Sequence, residues 1–290
     1  MQRAARSVRI ILFGCLLVLA LFELGCDRNA RPRMVDTGGY SLRALIEGGG
    51  SPSVVFVSPG FGASLEAWER VQPTVSQFAR TFSYDRGGTY KSDPAPLPRD
   101  SRHIADELHA ALQNARLKPP YIVVGASVGG IHARTFAEMY PSDVAGLVLV
   151  DPTPEDMDRE LKARNPRMWQ KSQEQLGQMA QELAGWSSGA KSEFEMLNTD
   201  YDEVRNSGML PDVPITLISA NHAGSDIENS PGAILEQLQH QFIQGAPKGR
   251  LIKAARSGHN VAQDQPDVVI EAIRAVATSS RESSRRYQWH

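Results

Sequence analysis

Apolar positions fall into two alternating rhythms along this chain. Short runs at Tyr40–Ile46, Val54–Val57, Thr81–Tyr84, Ile122–Val124, Gly146–Val150, Pro214–Ser219 and Arg250–Ala254 are rich in β-branched or other apolar residues and have strand length. Val54–Val57 is apolar at every position, as expected of a central parallel strand buried on both faces. Between the runs, apolar residues recur at helical spacing. Trp68, Val71, Val75 and Phe78 suggest one helix, and Ile104, Leu108 and Leu112 a second with Ser101 as its N-cap. Ile131, Ala133, Phe136 and Met139 form a third stripe, and Val269, Ile273 and Val276 a last one behind Pro266, which can open a helix. Strands alternating with helices predict an α/β fold whose central sheet is mostly parallel, with right-handed crossovers and flanking helices.

The rhythm breaks over 153–212. No convincing strand lies there. Met157, Met168, Trp169, Met179, Trp186, Phe194 and Met196 are spread among Gln, Glu and Lys, so the stretch reads as an inserted helical lid with an adaptable apolar inner side. Glu155 and Asp156 read as solvated lid residues. At the N-terminus, Arg3, Arg6 and Arg9 precede the unbroken apolar run Ile10–Phe22, a basic region followed by a hydrophobic one that marks export. The run is short of the about 20 apolar residues a membrane-spanning helix needs. Two tethers fit: a lipoprotein segment ending at Cys26, or an uncleaved anchor over Val8–Leu24. Residues 1–26 are therefore expected to be an address, 27–34 a polar linker, 35–278 the folded domain and 279–290 a disordered tail. The folded part is expected outside the cytoplasm, tethered to a bacterial cell envelope, so the partner implied is a membrane through the N-terminal segment.

Composition narrows the picture. With 290 residues the chain suits one large domain plus a tail, and a net charge of -2 gives no electrostatic case for nucleic acid. The two cysteines, Cys15 and Cys26, both precede the folded part, which leaves that part without a disulfide or thiolate site. The seven histidines are scattered, and no metal-ligand spacing occurs. No metal or other cofactor is implied.

The chemistry concentrates in one stretch. Gly125-Ala126-Ser127-Val128-Gly129 fits G-x-S-x-G between a strand and a helix. There Ser127 would sit in a strained turn where bulk at Gly125 or Gly129 clashes, and the following helix N-terminus favours developing negative charge. Four further motifs follow a fixed order around it: Ser58-Pro59-Gly60-Phe61-Gly62; Tyr84-Asp85-Arg86-Gly87-Gly88 with Ser92-Asp93-Pro94; Leu147-Val148-Leu149-Val150-Asp151-Pro152; and Ser257-Gly258-His259-Asn260. Together these five make the chain, over about Val35–Thr278, resemble an α/β-hydrolase, similar to membrane-anchored bacterial esterases of that fold. It departs from many relatives in carrying Pro59 and Ala126 where they carry His.

The resemblance implies a catalytic Ser127, with His259, after the last strand, as its base. His222, after the preceding strand, is the weaker rival. His132 is expected to pack or lie at the surface. The oxyanion donors implied are the backbone N–H groups of Val128 and Phe61. Two candidates remain for the acid that orients the histidine. Asp151 ends one strand and is preferred. Asp226 lies in the loop after the next and is the alternative. The reaction class implied is hydrolysis of a small-molecule carboxylic ester through an acyl-enzyme. The competing class is a small-ligand binding or sensor protein on the same fold, with slow or absent turnover. Oligomeric state is not readable from the sequence.

Overall fold

The computed structural model describes residues 30–182, 185–207, 210–222 and 227–287. The seven expected strand segments all form strands of one sheet, and an eighth joins at its edge. They are β1 (Arg33–Asp36), β2 (Ser41–Glu47), β3 (Ser53–Val57), β4 (Thr81–Tyr84), β5 (Tyr121–Ala126), β6 (Val144–Val150), β7 (Ile215–Ala220) and β8 (Gly249–Ala254). The order across the sheet is β1-β2-β4-β3-β5-β6-β7-β8. Only the β1–β2 and β2–β4 pairs are antiparallel, and the other five are parallel. This is the mostly parallel sheet with flanking helices that the resemblance implies.

The helices are α1 (Gln72–Val75), α2 (Ser101–Asn114), α3 (Gly129–Met139), α4 (Met157–Arg164), α5 (Pro166–Glu182), α6 (Ser188–Asn206), α7 (Pro231–Gly245), α8 (Val261–Asp264) and α9 (Pro266–Tyr287). The core has two halves, because successive side chains of a strand leave opposite faces. On one face Val55, Phe82, Val123, Leu147 and Leu217 pack with Leu108, Leu112 and Phe136 of α2 and α3. On the other, Val54, Phe56, Ile122, Val124, Val148 and Ile218 pack with Trp68 and with Val269, Ile273 and Val276 of α9. At about 25 cal/mol per Å², each such large side chain contributes roughly 1.5–3 kcal/mol of burial.

Four expectations need correction. The stretch read as a linker already enters β1 at Arg33, where pairing with Ser41–Ala44 outweighs the polarity of Arg33 and Asp36. The tail read as disordered continues α9 as far as Tyr287. Its start on a buried apolar stripe carries the helix outward. The helix expected over Trp68–Phe78 is a 3₁₀ turn at Leu65–Trp68 followed by the single turn α1. The N-cap of α2 is Asp100, whose carboxylate accepts from the His103 N–H, and Ser101 is the first helical residue. The break over 153–212 does hold three helices, α4 to α6, inserted between β6 and β7. Among the described residues no helix is long and apolar enough to cross a membrane. The expected address segment lies outside them, apart from the adjoining linker residues from Ala30.

Candidate active site

The carboxyl ends of β3, β5, β6 and β8 all open on one edge of the sheet, the usual place for a site in an open α/β fold. Ser127 follows β5 and Asp151 follows β6, one residue past the paired positions Ala126 and Val150. The backbone turns sharply at both. Ser127 has φ +53° and Asp151 φ +44°, left-handed values that cost a side-chain-bearing residue free energy. Neighbouring strands hold the strain in place, since Ser127 N–H donates to Val150 O (3.0 Å) and Asp151 N–H to Ile218 O (2.7 Å). The glycines around Ser127 are required by contact. A Cβ on Gly125 would stand 2.3 Å from Gly129 O, and one on Gly129 would stand 2.6 Å from Ser58 O.

His259 reaches over this edge from the loop after β8. Its Nε2 lies 2.9 Å from Ser127 Oγ and its Nδ1 2.7 Å from Asp151 Oδ2. Asp151 is buried, and its second oxygen is fully engaged. Oδ1 faces His222 Nε2 at 2.9 Å and accepts from Ala220 N–H and Gln239 Nε2, both at 3.1 Å. Burial alone would push this carboxyl up. The hydrogen bonds from His222, His259, Gln239 and the Ala220 N–H outweigh it and hold the group well below the ordinary carboxylate range. Asp151 in turn raises the His259 pKa above its ordinary 6.5, against the opposing effect of burial. Asp226 lies outside the described residues.

Among the described residues, neither the N–H of Val128, the residue after Ser127, nor that of Phe61, on the loop after β3, has a hydrogen-bond partner. Val128 begins α3. Phe61 stands between Gly60 (φ +61°) and Gly62 (φ +70°), whose left-handed conformations build the loop after β3. His222, expected as a rival base, faces the acid and not the serine. His132 is buried in α3 with Nδ1 2.7 Å from Ser101 Oγ, and burial followed by the nearby Arg86 and Arg99 holds its pKa well down. Glu155 and Asp156 are ion-paired, a correction to their reading as solvated. Arg134 donates to both oxygens of Glu155, and Arg205 pairs with Asp156 at 2.8 Å.

Two hollows lie near the site, one lined by Ser127 and one by its neighbour Thr153. A small one of about 90 Å³ is lined by Pro59, Trp68, Ser127, Val261 and Ala262. A larger one of about 850 Å³ lies among the lid helices, with Met168, Leu176 and Met179 of α5 facing Phe194, Leu197 and Tyr201 of α6. Thr153 lines it, and its Oγ1 is 3.5 Å from Ser127 Oγ. Sequence reasoning missed the partners of the acid other than His259. Gln239 sits in the middle of α7, where nothing local distinguishes it from a surface glutamine. Among the described residues no group of His, Cys, Asp or Glu side chains is arranged to hold a metal ion.

Relatives agree with this architecture. The chain is 26% identical over 269 residues to the esterase Rv0045c of Mycobacterium tuberculosis, covering 81% of this chain and 86% of that one. It is 31% identical over 149 residues to the probable transporter efuK of Hormonema carpetanum, and there it spans only 21% of the longer protein's length. The structure of a thermophilic esterase from Thermogutta terrifontis superposes with a TM-score of 0.62 at 18% identity, over 87% of this chain and 99% of that one, a likeness of fold. The family model described as alpha/beta hydrolase fold matches residues 53–233. With strand order, inserted lid and family model in agreement, this chain belongs to the α/β-hydrolase fold family.

Proposed function

We propose that the protein is a serine hydrolase that cleaves a carboxylic ester of a small molecule through an acyl-enzyme. The observation that carries the reading is the unbroken path from Ser127 Oγ through His259 to buried Asp151, at 2.9 and 2.7 Å. In the proposed cycle His259 Nε2 takes the Ser127 proton as Oγ attacks the ester carbon. The negative charge moves to the former carbonyl oxygen, which accepts from the Phe61 and Val128 N–H groups. His259 then returns the proton to the departing alcohol. A water, deprotonated by the same nitrogen, attacks the acyl-enzyme, and His259 passes that proton to Ser127 Oγ as the ester bond to it breaks and the acid leaves. Asp151 holds the Nδ1–H tautomer and stabilises the imidazolium. Half of the His259 side chain is exposed, so water can approach it.

The esterase relative and the fold support hydrolysis. The lid hollow, walled by Met, Leu and Phe, suits an ester with an extended apolar chain, while the small hollow suits a short group on the other side of the ester bond. The N-terminal segment is proposed to tether the enzyme to a membrane outside the cytoplasm. A screen of p-nitrophenyl esters of graded chain length, run with wild type and Ser127→Ala, tests the chemistry. Turnover lost in the variant is expected. A folded wild type that neither turns over an ester nor reacts with a fluorophosphonate at Ser127 would instead favour a ligand-binding role.

A further inference from the structure

The motif Tyr84-Asp85-Arg86-Gly87-Gly88 has no part in the chemistry above, yet it holds one of the most buried charges of the molecule. The Arg86 side chain is 1% exposed, and its partner Glu193 is also sealed from water. Arg86 Nε donates to Glu193 Oε1 (2.7 Å) and Nη2 to Oε2 (2.8 Å). The remaining donors go to backbone. Nη1 donates to Ser58 O (2.8 Å) and Nη2 to Gly60 O (2.5 Å). Glu193 Oε2 in turn accepts from Gly62 N–H (3.3 Å). One ion pair therefore grips the loop after β3 at three backbone atoms, on both sides of Phe61.

The planarity of the peptide bond gives this grip a consequence. Gly60 C=O and Phe61 N–H belong to one trans peptide unit and point in opposite directions. Holding the Gly60 oxygen on Arg86 aims the Phe61 N–H away from the ion pair, and that N–H has no partner among the described residues. Rotation of this unit changes Gly60 ψ and Phe61 φ, and Gly60, with no Cβ, restricts its ψ least. Without the guanidinium, the loop has a flipped state in which the N–H is turned from the reacting oxygen. A buried ion pair is a poor source of stability, because desolvation offsets most of its attraction. Fixing a backbone orientation is a role in which its geometry matters more than its energy.

Glu193 belongs to the lid. It lies on α6, where neighbouring Phe194 packs edge-on against the Phe61 ring at 5.3 Å. Gly189 donates to Gly88 O, and a Cβ there would stand 2.6 Å from the Gly88 backbone, so α6 is seated directly on the Arg86 loop. We infer that Arg86 and Glu193 are positioning residues that hold the Phe61 N–H in place as an oxyanion donor, so that the inserted lid, and not the sheet alone, completes the active site. This inference rests on the serine hydrolase reading.

The test uses the full chain with Arg86→Lys and Glu193→Gln, assayed on p-nitrophenyl butyrate well below each variant's Tm. Lysine keeps the positive charge but lacks the fork needed to reach the carboxylate and two carbonyls together. The expected result is a fall in kcat approaching the about 10²–10³ seen for loss of one oxyanion donor, with little change in KM. An alkyl boronic acid, which adds to a serine as a tetrahedral anion, should lose affinity in parallel. Glu193→Gln keeps the shape and the Arg86–carbonyl bonds, so a smaller, roughly tenfold fall in kcat is expected, and it serves as the test should Arg86→Lys fail to fold. Wild-type kcat and boronate affinity in whichever variants fold would overturn the positioning role and leave the hydrolase reading standing. A wild type without Ser127-dependent turnover would overturn both.

Discussion

Ser127, the proposed nucleophile, occupies a strained backbone conformation. A left-handed backbone costs a residue with a Cβ about 1–2 kcal/mol, and Ser127 carries that cost at φ +53°. Ser127→Gly is therefore expected to raise Tm by a few degrees while abolishing turnover. Ser127→Ala should abolish turnover with Tm close to wild type. Thermal melts of the two beside an esterase assay check this, and a Gly variant less stable than the Ala variant would show that the turn is not strained. The acid is tested by Asp151→Asn, expected to lower turnover by about 10⁴, the size of the same change in a serine protease. The pH profile follows from His259. In the proposed cycle the base must be neutral, and Asp151 raises the His259 pKa above 6.5, so kcat/KM should fall as pH drops through a midpoint above 6.5. A midpoint below 6.5 would mean that Asp151 does not stabilise the imidazolium in solution.

Among the elements, the lid helices divide into a fixed part and a loose one. Helix α6 is fastened to the body by three polar side chains: Ser192 Oγ accepts from Arg99 N–H (3.0 Å), Glu193 pairs with Arg86, and Asp200 Oδ1 accepts from Ser101 N–H (2.7 Å). Helix α5 has no buried residue in its 17, although its apolar stripe turns inward over the hollow. Such a helix is held by few contacts and is the natural moving part of a lid. The Asp200 anchor carries its own pH dependence. Burial pushes its carboxyl up from 3.8 to about 7. A raised folded pKa means that the folded state holds the proton more tightly. The stabilisation is fully present below 3.8 and is lost as pH rises through about 7. Asp200→Asn keeps an oxygen for the Ser101 N–H and carries no charge. Its Tm should exceed wild type by several degrees at pH 8 and approach it at pH 4, which scanning calorimetry at both values measures. Equal differences at the two pH values would remove the anchor's titration from the account.

For the whole molecule, every group of the proposed site lies between Ser58 and His259, and the first described strand starts at Arg33. Removing 1–26 is therefore expected to yield a soluble protein with unchanged kcat. An unfolded or inactive product would show that the segment does more than tether. Cys26→Ser should abolish lipid labelling if Cys26 is the tether, and leave it absent in both proteins if Val8–Leu24 is the anchor. Mass spectrometry of the membrane-bound full-length chain separates the two.

What could be read along the chain was what is local. Strands such as Val54–Val57 and helices such as Pro266 onward follow from apolar spacing, and the turn at Ser127 from two glycines whose absence of Cβ is a local steric demand. Asp151 and His259 were legible as candidates because each sits at the end of a strand, a position that spacing reveals. Which carboxylate faces the histidine was a different matter. Asp151 and His259 are 108 residues apart, and their 2.7 Å contact exists only because β6, β7 and β8 lie side by side. The same holds for His222 and Gln239 around the acid, and for Glu193, whose helix packs on a loop 107 residues earlier in the chain. Local pattern reports which face of an element is apolar. It carries no information on which distant polar group will meet a buried charge, because that depends on how strands are ordered and helices seated, and only the assembled fold decides it.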